Sequence, residues 1–197
     1  MSTFNLKDQN SNIDNKILVG LERLSQVFRI LLWEKSKLYD LTPIQIQLLI
    51  FIHYHSIDKS TVSYLAKEFN LSKATISDTI KTLIRKQFLE KVKISNDLRT
   101  YALQVTQEGI QIVTDTENFP NPFLDIIKKI NSDDKIVMWN TISNSIHQLN
   151  KLNIISVQRT CYNCYNFSKQ KTLSYCNLLN QELSPSDIRI DCEEFVP

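Results

Sequence analysis

The chain has 197 residues and a net charge of +2, with 42% hydrophobic and 22% charged residues, the balance of an ordinary globular protein. Only two glycines occur, Gly20 and Gly109, which excludes the glycine-rich phosphate loops of Rossmann and P-loop enzymes. No run approaches the roughly 20 apolar residues of a membrane span, and Met1–Asn5 lacks a basic and apolar leader, so a cytoplasmic protein with no membrane partner is expected.

Residues 1–11 are polar and Asn-rich and read as a flexible arm. From Ile13 the chain turns helical, with Ile13, Ile17, Leu21, Leu24, Phe28 and Leu31 on one stripe about five turns long. Thr42, Pro43 and Gln45 then form a helix start signal, a capping box with Pro at the first helical position. Leu48, Leu49, Phe51 and Ile52 supply that helix's buried face. A short helix is predicted over Val62–Phe69, a tight turn at Asn70-Leu71-Ser72, and a further helix capped by Ser72 and running to about Gln87. Phe88–Ile94 and Arg99–Val105, rich in β-branched and aromatic residues, read as a hairpin with a polar tip. Thr106-Gln107-Glu108 opens another helix, which Pro120 and Pro122 break. A last long helix carries Ile136, Trp139, Ile142, Ile146 and Leu149 on one face.

The positive charge is concentrated. Residues 59–99 hold nine Lys or Arg against four acids, where a nucleic-acid footprint would lie, whereas residues 161–197 carry a local −2. Two helices joined by a tight turn and followed by a hairpin describe a winged helix-turn-helix. Leu65, Ala66, Leu71, Ile76, Ile80, Leu83 and Ile84 would pack inside it. The outer side of its second helix carries Lys73, Thr75, Ser77, Asp78, Lys81 and Arg85. Short hydroxyl side chains such as Ser72, Thr75 and Ser77 near that helix's N-terminus can reach base edges. Lys73, Lys81, Arg85 and, at the hairpin, Lys93 would hold phosphates. The plainer alternative is a winged helix that packs or binds protein, with these charges a solvated face.

The order and spacing of several short motifs resemble the MarR-type transcriptional regulators. They are Leu41-Thr42-Pro43-Ile44-Gln45, Leu65-Ala66-Lys67, Leu71-Ser72-Lys73-Ala74-Thr75-Ile76-Ser77, Asp97-Leu98-Arg99 and Leu103–Gly109. The resemblance spans residues 12–152 and implies a winged helix-turn-helix domain that forms a homodimer through its first and last helices and binds double-stranded DNA. It further implies that Arg99 enters the minor groove from the wing, that Asp97 braces it, and that a small-molecule effector pocket lies between the dimerisation and DNA-binding regions. For Asp97 and Arg99, an ordinary solvated turn pair is the plainer alternative. Gln87-Phe88-Leu89 departs from the family, which commonly has a glycine-containing turn there.

Residues 153–197 lie outside the resemblance. Cys161 and Cys164 form a C-x-x-C, followed by Cys176 after eleven residues and Cys192 after fifteen more. Four thiolates at this spacing can surround one tetrahedral Zn2+ in a small four-cysteine module too short to fold on an apolar core alone. The same residues could hold an iron–sulfur cluster or a redox-switching disulfide, making the chain a redox-sensing regulator. A thiol–disulfide oxidoreductase using Cys161 and Cys164 is the enzyme alternative, but no βαβ setting accompanies the motif. His53, His55 and His147 read as surface or packing residues. The expected architecture is mainly α with a small β-hairpin wing, with long dimerisation helices and a C-terminal cysteine module. The expected function is non-enzymatic, sequence-specific DNA binding as a homodimer on a pseudo-palindromic site.

Overall fold

The computed structural model describes residues 2–93, 101–170 and 173–197. The chain is mainly helical with two small sheets. It divides into two compact units that interleave in sequence. One comprises Met1–Tyr54, Thr79–Val92 and Leu103–Leu124; the other comprises His55–Asp78, Lys93–Ala102 and Asp125–Pro197.

In the first unit, the segment expected to be a flexible arm carries a short helix, α1 (Leu6–Ser11), whose N-terminus is capped by the Asn5 side chain. Helix α2 (Ile13–Leu38) follows, capped by Asn12. Its predicted stripe holds the helical register, yet Ile13, Ile17 and Leu21 stay more than half exposed. Helix α3 (Pro43–Tyr54) starts where Thr42-Pro43 predicted, and the Thr42 N–H donates to Gln45 Oε1 at 2.9 Å. Leu48, Leu49, Phe51 and Ile52 are buried as expected, and α3 packs against α2 and α6 (Gln107–Thr116). Thr106 caps α6 by accepting from the Gly109 N–H at 3.1 Å, a bond worth about 1 kcal/mol at such positions. Pro120 and Pro122 do not simply break a helix. Pro122 lies in the first turn of α7 (Asn121–Lys128), where its missing N–H would have had no intrahelical partner. Phe28 of α2 meets Phe123 of α7 edge to face.

The Thr61 side chain caps α4 (Val62–Glu68), and the chain then turns through Asn70, which takes the left-handed conformation at φ 51°. The Leu71 N–H bonds back to the Ala66 carbonyl, and α5 (Lys73–Arg85) begins. Leu65, Ala66, Ile76, Ile80 and Leu83 are buried. Leu71, expected inside, is exposed because the turn directs it outward. Strands β1 (Leu89–Lys93) and β2 (Tyr101–Val105) pair after α5 as the expected wing; the hairpin tip lies outside the described residues.

In the Gln87-Phe88-Leu89 segment Gln87 adopts φ 64°, so the turn from α5 into β1 keeps a left-handed non-glycine residue at a steric cost of about 1–2 kcal/mol. Thr106 secures this turn, its hydroxyl donating to the Gln87 carbonyl at 2.6 Å and its N–H to the Phe88 carbonyl at 3.2 Å. Gly109 lies directly beneath it, and a Cβ there would come within 2.2 Å of the Phe88 carbonyl oxygen.

The second unit also holds α8 (Ser132–Lys151), capped by Asn131, and an antiparallel sheet of order β3-β4-β5. Its strands are Phe167–Gln170, Leu173–Cys176 and Gln181–Leu183. The Trp139 indole of α8 donates to the Pro185 carbonyl at 3.1 Å and so ties the helix to the C-terminal segment.

Two substitutions test the turn. Gln87→Gly should raise stability by about 1 kcal/mol or less, the relieved strain being partly offset by glycine's chain entropy. Gly109→Ala should lower it by about 1–3 kcal/mol through overpacking. Both are read as shifts in the urea midpoint.

Candidate nucleic-acid interface and cysteine cluster

Helix α5 separates its residues by side. Ile76, Ile80 and Leu83 face inward, while Lys73, Thr75, Lys81 and Arg85 are exposed, as are Ser72 before the helix and Lys93 on β1. Ser77 is half-buried. Ser72 serves as the helix cap: its Oγ accepts from the Thr75 N–H at 3.0 Å and pairs with Thr75 Oγ1 at 2.8 Å. The same bonds fix both hydroxyls at the positive end of the α5 dipole, where backbone N–H groups favour phosphate. Lys86 is engaged, donating to the carboxylate of Asp40 at 2.8 Å, and that bond holds the Asp40 carboxyl below its usual range. Asp97 and Arg99 lie outside the described residues.

Two backbone pairings in the second unit gather the cysteines. Arg159 and Asp191 form a parallel bridge; the Cys192 N–H donates to the Arg159 carbonyl and the Cys161 N–H to the Arg189 carbonyl, both at 3.0 Å. This pairing joins Cys161 to Cys192. The β3–β4 register sets Cys176 opposite Phe167, whose N–H bonds to the Cys164 carbonyl at 3.0 Å, and so joins Cys164 to Cys176. Cys161–Asn163 forms a tight 3-10 turn. The Arg189 N–H donates to Cys161 Sγ at 3.2 Å, and its guanidinium lies 3.7 Å from Cys192 Sγ.

All four cysteines are free thiols and line one cavity of about 30 Å³, together with Phe167, Leu183 and Arg189. Among the described residues, no group of three or more His, Cys, Asp or Glu stands in a ready-made metal-holding array. Burial pushes the Cys161 thiol up; the Arg189 N–H opposes this, and nearby Cys192 and Cys176 add to it.

Beside the cluster lies a charged network not evident in the sequence. Arg159 is only 6% exposed. Its Nη1 and Nη2 grip the Glu68 carboxylate of α4 at 2.7 and 3.2 Å, and Nη1 also donates to the Tyr64 hydroxyl at 2.7 Å. Its Nε and Nη2 hold the Asp191 carboxylate at 2.5 and 2.9 Å, so the side chain makes five bonds, the number of its N–H donors. His55 adds a 2.9 Å contact to Asp191. Burial opposes the charge on Arg159, but Asp191 and Glu68 raise its pKa further above the usual arginine range. Burial likewise opposes the Asp191 charge, but Arg159 and His55 bring its pKa down to about 2. The Ser156 hydroxyl adds a second tie, donating to the Lys67 carbonyl at the end of α4 at 2.9 Å. Sequence separation hid the network, since Arg159 lies 91 residues from Glu68 and 32 from Asp191. The available hint was that Arg159 and Asp191 closely precede Cys161 and Cys192.

Helix α4, its turn, α5 and the β1–β2 sheet, in that order, define a winged helix-turn-helix. The comparisons agree with that class. Residues 39–100 match the sequence profile of the MarR family. A curated relative, the HTH-type transcriptional regulator BilQ of Clostridioides difficile (strain CD3), is 33% identical over 69 residues, covering 35% of this chain and 47% of its own length. The chain thus spans about half of the curated relative it matches. Among solved structures, S. aureus MepR in its DNA-binding conformation superposes with a TM-score of 0.59 at 18% identity, covering 68% of this chain and 98% of that one. Streptococcus pneumoniae FabT in complex with DNA gives 0.56 at 22% identity, covering 69% and 99%. These likenesses establish the winged helix fold.

Because Arg159 holds its network together, Arg159→Ala should destabilise the chain by about 1.5–3 kcal/mol, since the part-exposed carboxylates of Glu68 and Asp191 lose their charged hydrogen-bond donor. Asp40→Ala, which removes a fully exposed carboxylate, should move the urea midpoint far less than Arg159→Ala does. Parallel urea denaturation curves measure both.

Proposed function

We propose that this chain is a MarR-type transcriptional regulator that binds double-stranded DNA as a homodimer on a pseudo-palindromic site and carries a structural zinc ion at Cys161, Cys164, Cys176 and Cys192. The observation that carries the DNA reading is the outward face of α5, where exposed Lys73, Thr75, Lys81 and Arg85 stand opposite buried Ile76, Ile80 and Leu83 in a winged helix-turn-helix. Placed in the major groove, Thr75 and Ser77 read base edges, while Lys73, Lys81, Arg85 and Lys93 neutralise phosphates. Arg99 is assigned to the minor groove from the family resemblance. The dimer reading rests on the exposed apolar residues of α2, among them Ile13, Ile17, Leu21, Ile30 and Trp33, which a second copy would cover.

Zinc is favoured over an iron–sulfur cluster because the tight Cys161–Asn163 turn presents Cys161 and Cys164 from one short segment, the arrangement of structural tetrahedral zinc sites. Four cysteine ligands would leave no open position for catalysis. A thiol–disulfide enzyme presents its C-x-x-C in a βαβ setting, whereas Cys161–Asn163 forms a 3-10 turn ahead of an antiparallel sheet.

Two measurements test this reading. The affinity for duplex DNA should fall steeply with salt, and Lys81→Ala should weaken binding and reduce the salt slope by roughly one. A salt-independent affinity, or an unchanged slope in the variant, contradicts the α5 interface. Anaerobically purified protein should be colourless with one zinc per chain, and chelation should unfold the β3-β4-β5 sheet. A brown, iron-containing sample would establish the cluster instead.

A further inference from the structure

We infer that metal occupancy of the four-cysteine site controls DNA binding, with Arg159 and Asp191 as the positioning pair that transmits it to α4 of the helix-turn-helix. The inference rests on the DNA-binding and metal-site readings above and adds the coupling between them.

The path is short. Cys161 and Cys192 belong to the same backbone pairing as Arg159 and Asp191, with bonds from the Cys161 N–H to the Arg189 carbonyl and from the Cys192 N–H to the Arg159 carbonyl. An ion held by both sulfurs would cross-link the two strands of that pairing and fix the separation of the Arg159 and Asp191 side chains. The Arg159 guanidinium makes five bonds, two to Asp191 and three to Glu68 and Tyr64. A planar fork bonded in this way to two carboxylates and a hydroxyl moves only by breaking charge-assisted bonds in a buried setting. The Cys161–Cys192 pairing and the C-terminal half of α4 therefore move together. Ser156 bound to the Lys67 carbonyl strengthens the coupling at the last turn of α4.

The connection to DNA follows from what comes next in the chain. Glu68 is the last residue of α4, and the turn through Asn70 leads directly to the Ser72 cap and the first residues of α5. Fixing the end of α4 fixes the start of the helix that carries Lys73 and Thr75. A stripped cluster leaves that start less ordered, so binding must also cover the cost of ordering it. Metal-loaded protein therefore binds DNA more tightly than stripped protein, and by linkage DNA tightens metal binding by the same factor.

The test uses the full chain, loaded with Zn2+ or stripped with a chelator, and a labelled duplex selected by the wild-type chain from a random-sequence pool. Zinc stoichiometry and helical content are measured alongside DNA affinity for the wild type, Glu68→Gln and Tyr64→Phe. For the wild type, stripping should weaken DNA binding roughly tenfold, and saturating duplex should raise zinc affinity by the same factor. In Glu68→Gln the ratio should fall close to one, with one zinc still bound per chain and helical content retained; Tyr64→Phe, which removes the hydroxyl that Arg159 bonds but keeps the Glu68 carboxylate, should give an intermediate ratio. A wild-type ratio of one or below overturns the inference, as does full coupling in Glu68→Gln. Should Glu68→Gln lose its helical content, Tyr64→Phe decides alone: a ratio below the wild-type value supports the inference, and an unchanged ratio overturns it. If no zinc binds, the metal-site reading fails and takes the inference with it. If no duplex is selected, the DNA reading fails likewise. If zinc and DNA both bind but are uncoupled, the coupling alone falls.

Discussion

The second unit depends on one buried side chain. Arg159 brings a permanent charge out of water, which is tolerable only because two carboxylates and a phenol meet its N–H groups. Those partners come from distant parts of the chain, with Tyr64 and Glu68 on α4 and Asp191 beside the last cysteine. Satisfying this one group fixes the C-terminal segment against the first helix of the helix-turn-helix. The cysteine segment is thus fastened to the helix-turn-helix and does not hang from the end of α8.

Around that anchor the forces divide by range. The helices are set by local chemistry: Thr61, Ser72, Thr106 and Asn131 each accept a backbone N–H three residues ahead. The β3-β4-β5 sheet and the Arg159–Asp191 bridge are short and offer little apolar burial, so their stability calls for a cross-link, which the convergence of four thiols on one cavity would supply. A metal ion held there would stand where it can also report, because Cys161 and Cys192 lie close in the chain to Arg159 and Asp191, which hold α4.

What could be read in the sequence follows the same division. The capped helix starts, the turn at Asn70 and the inward and outward faces of α5 depend on neighbours a few residues apart, and they were legible. Helix α7 was not, because Pro120 and Pro122 read as breakers although proline suits the first turn of a new helix. Leu71 looked apolar enough to be buried, but the backbone direction after a left-handed Asn70 turned it out. At Gln87 the residue type concealed the backbone's need: the turn keeps the left-handed conformation of a glycine without the glycine. The Arg159 network lay furthest out of reach, because no local pattern pairs an arginine with a glutamate 91 residues away.

The most direct test of the link between the cysteine site and the helix-turn-helix is hydrogen exchange on the full chain, with Zn2+ bound and after chelation. Backbone amides of Val62–Glu68 should lose protection together with those of Leu173–Cys176 when the metal is removed, since both are held through the same anchored pairing. Full protection retained over Val62–Glu68 while Leu173–Cys176 exchanges freely would show that the two are not mechanically joined.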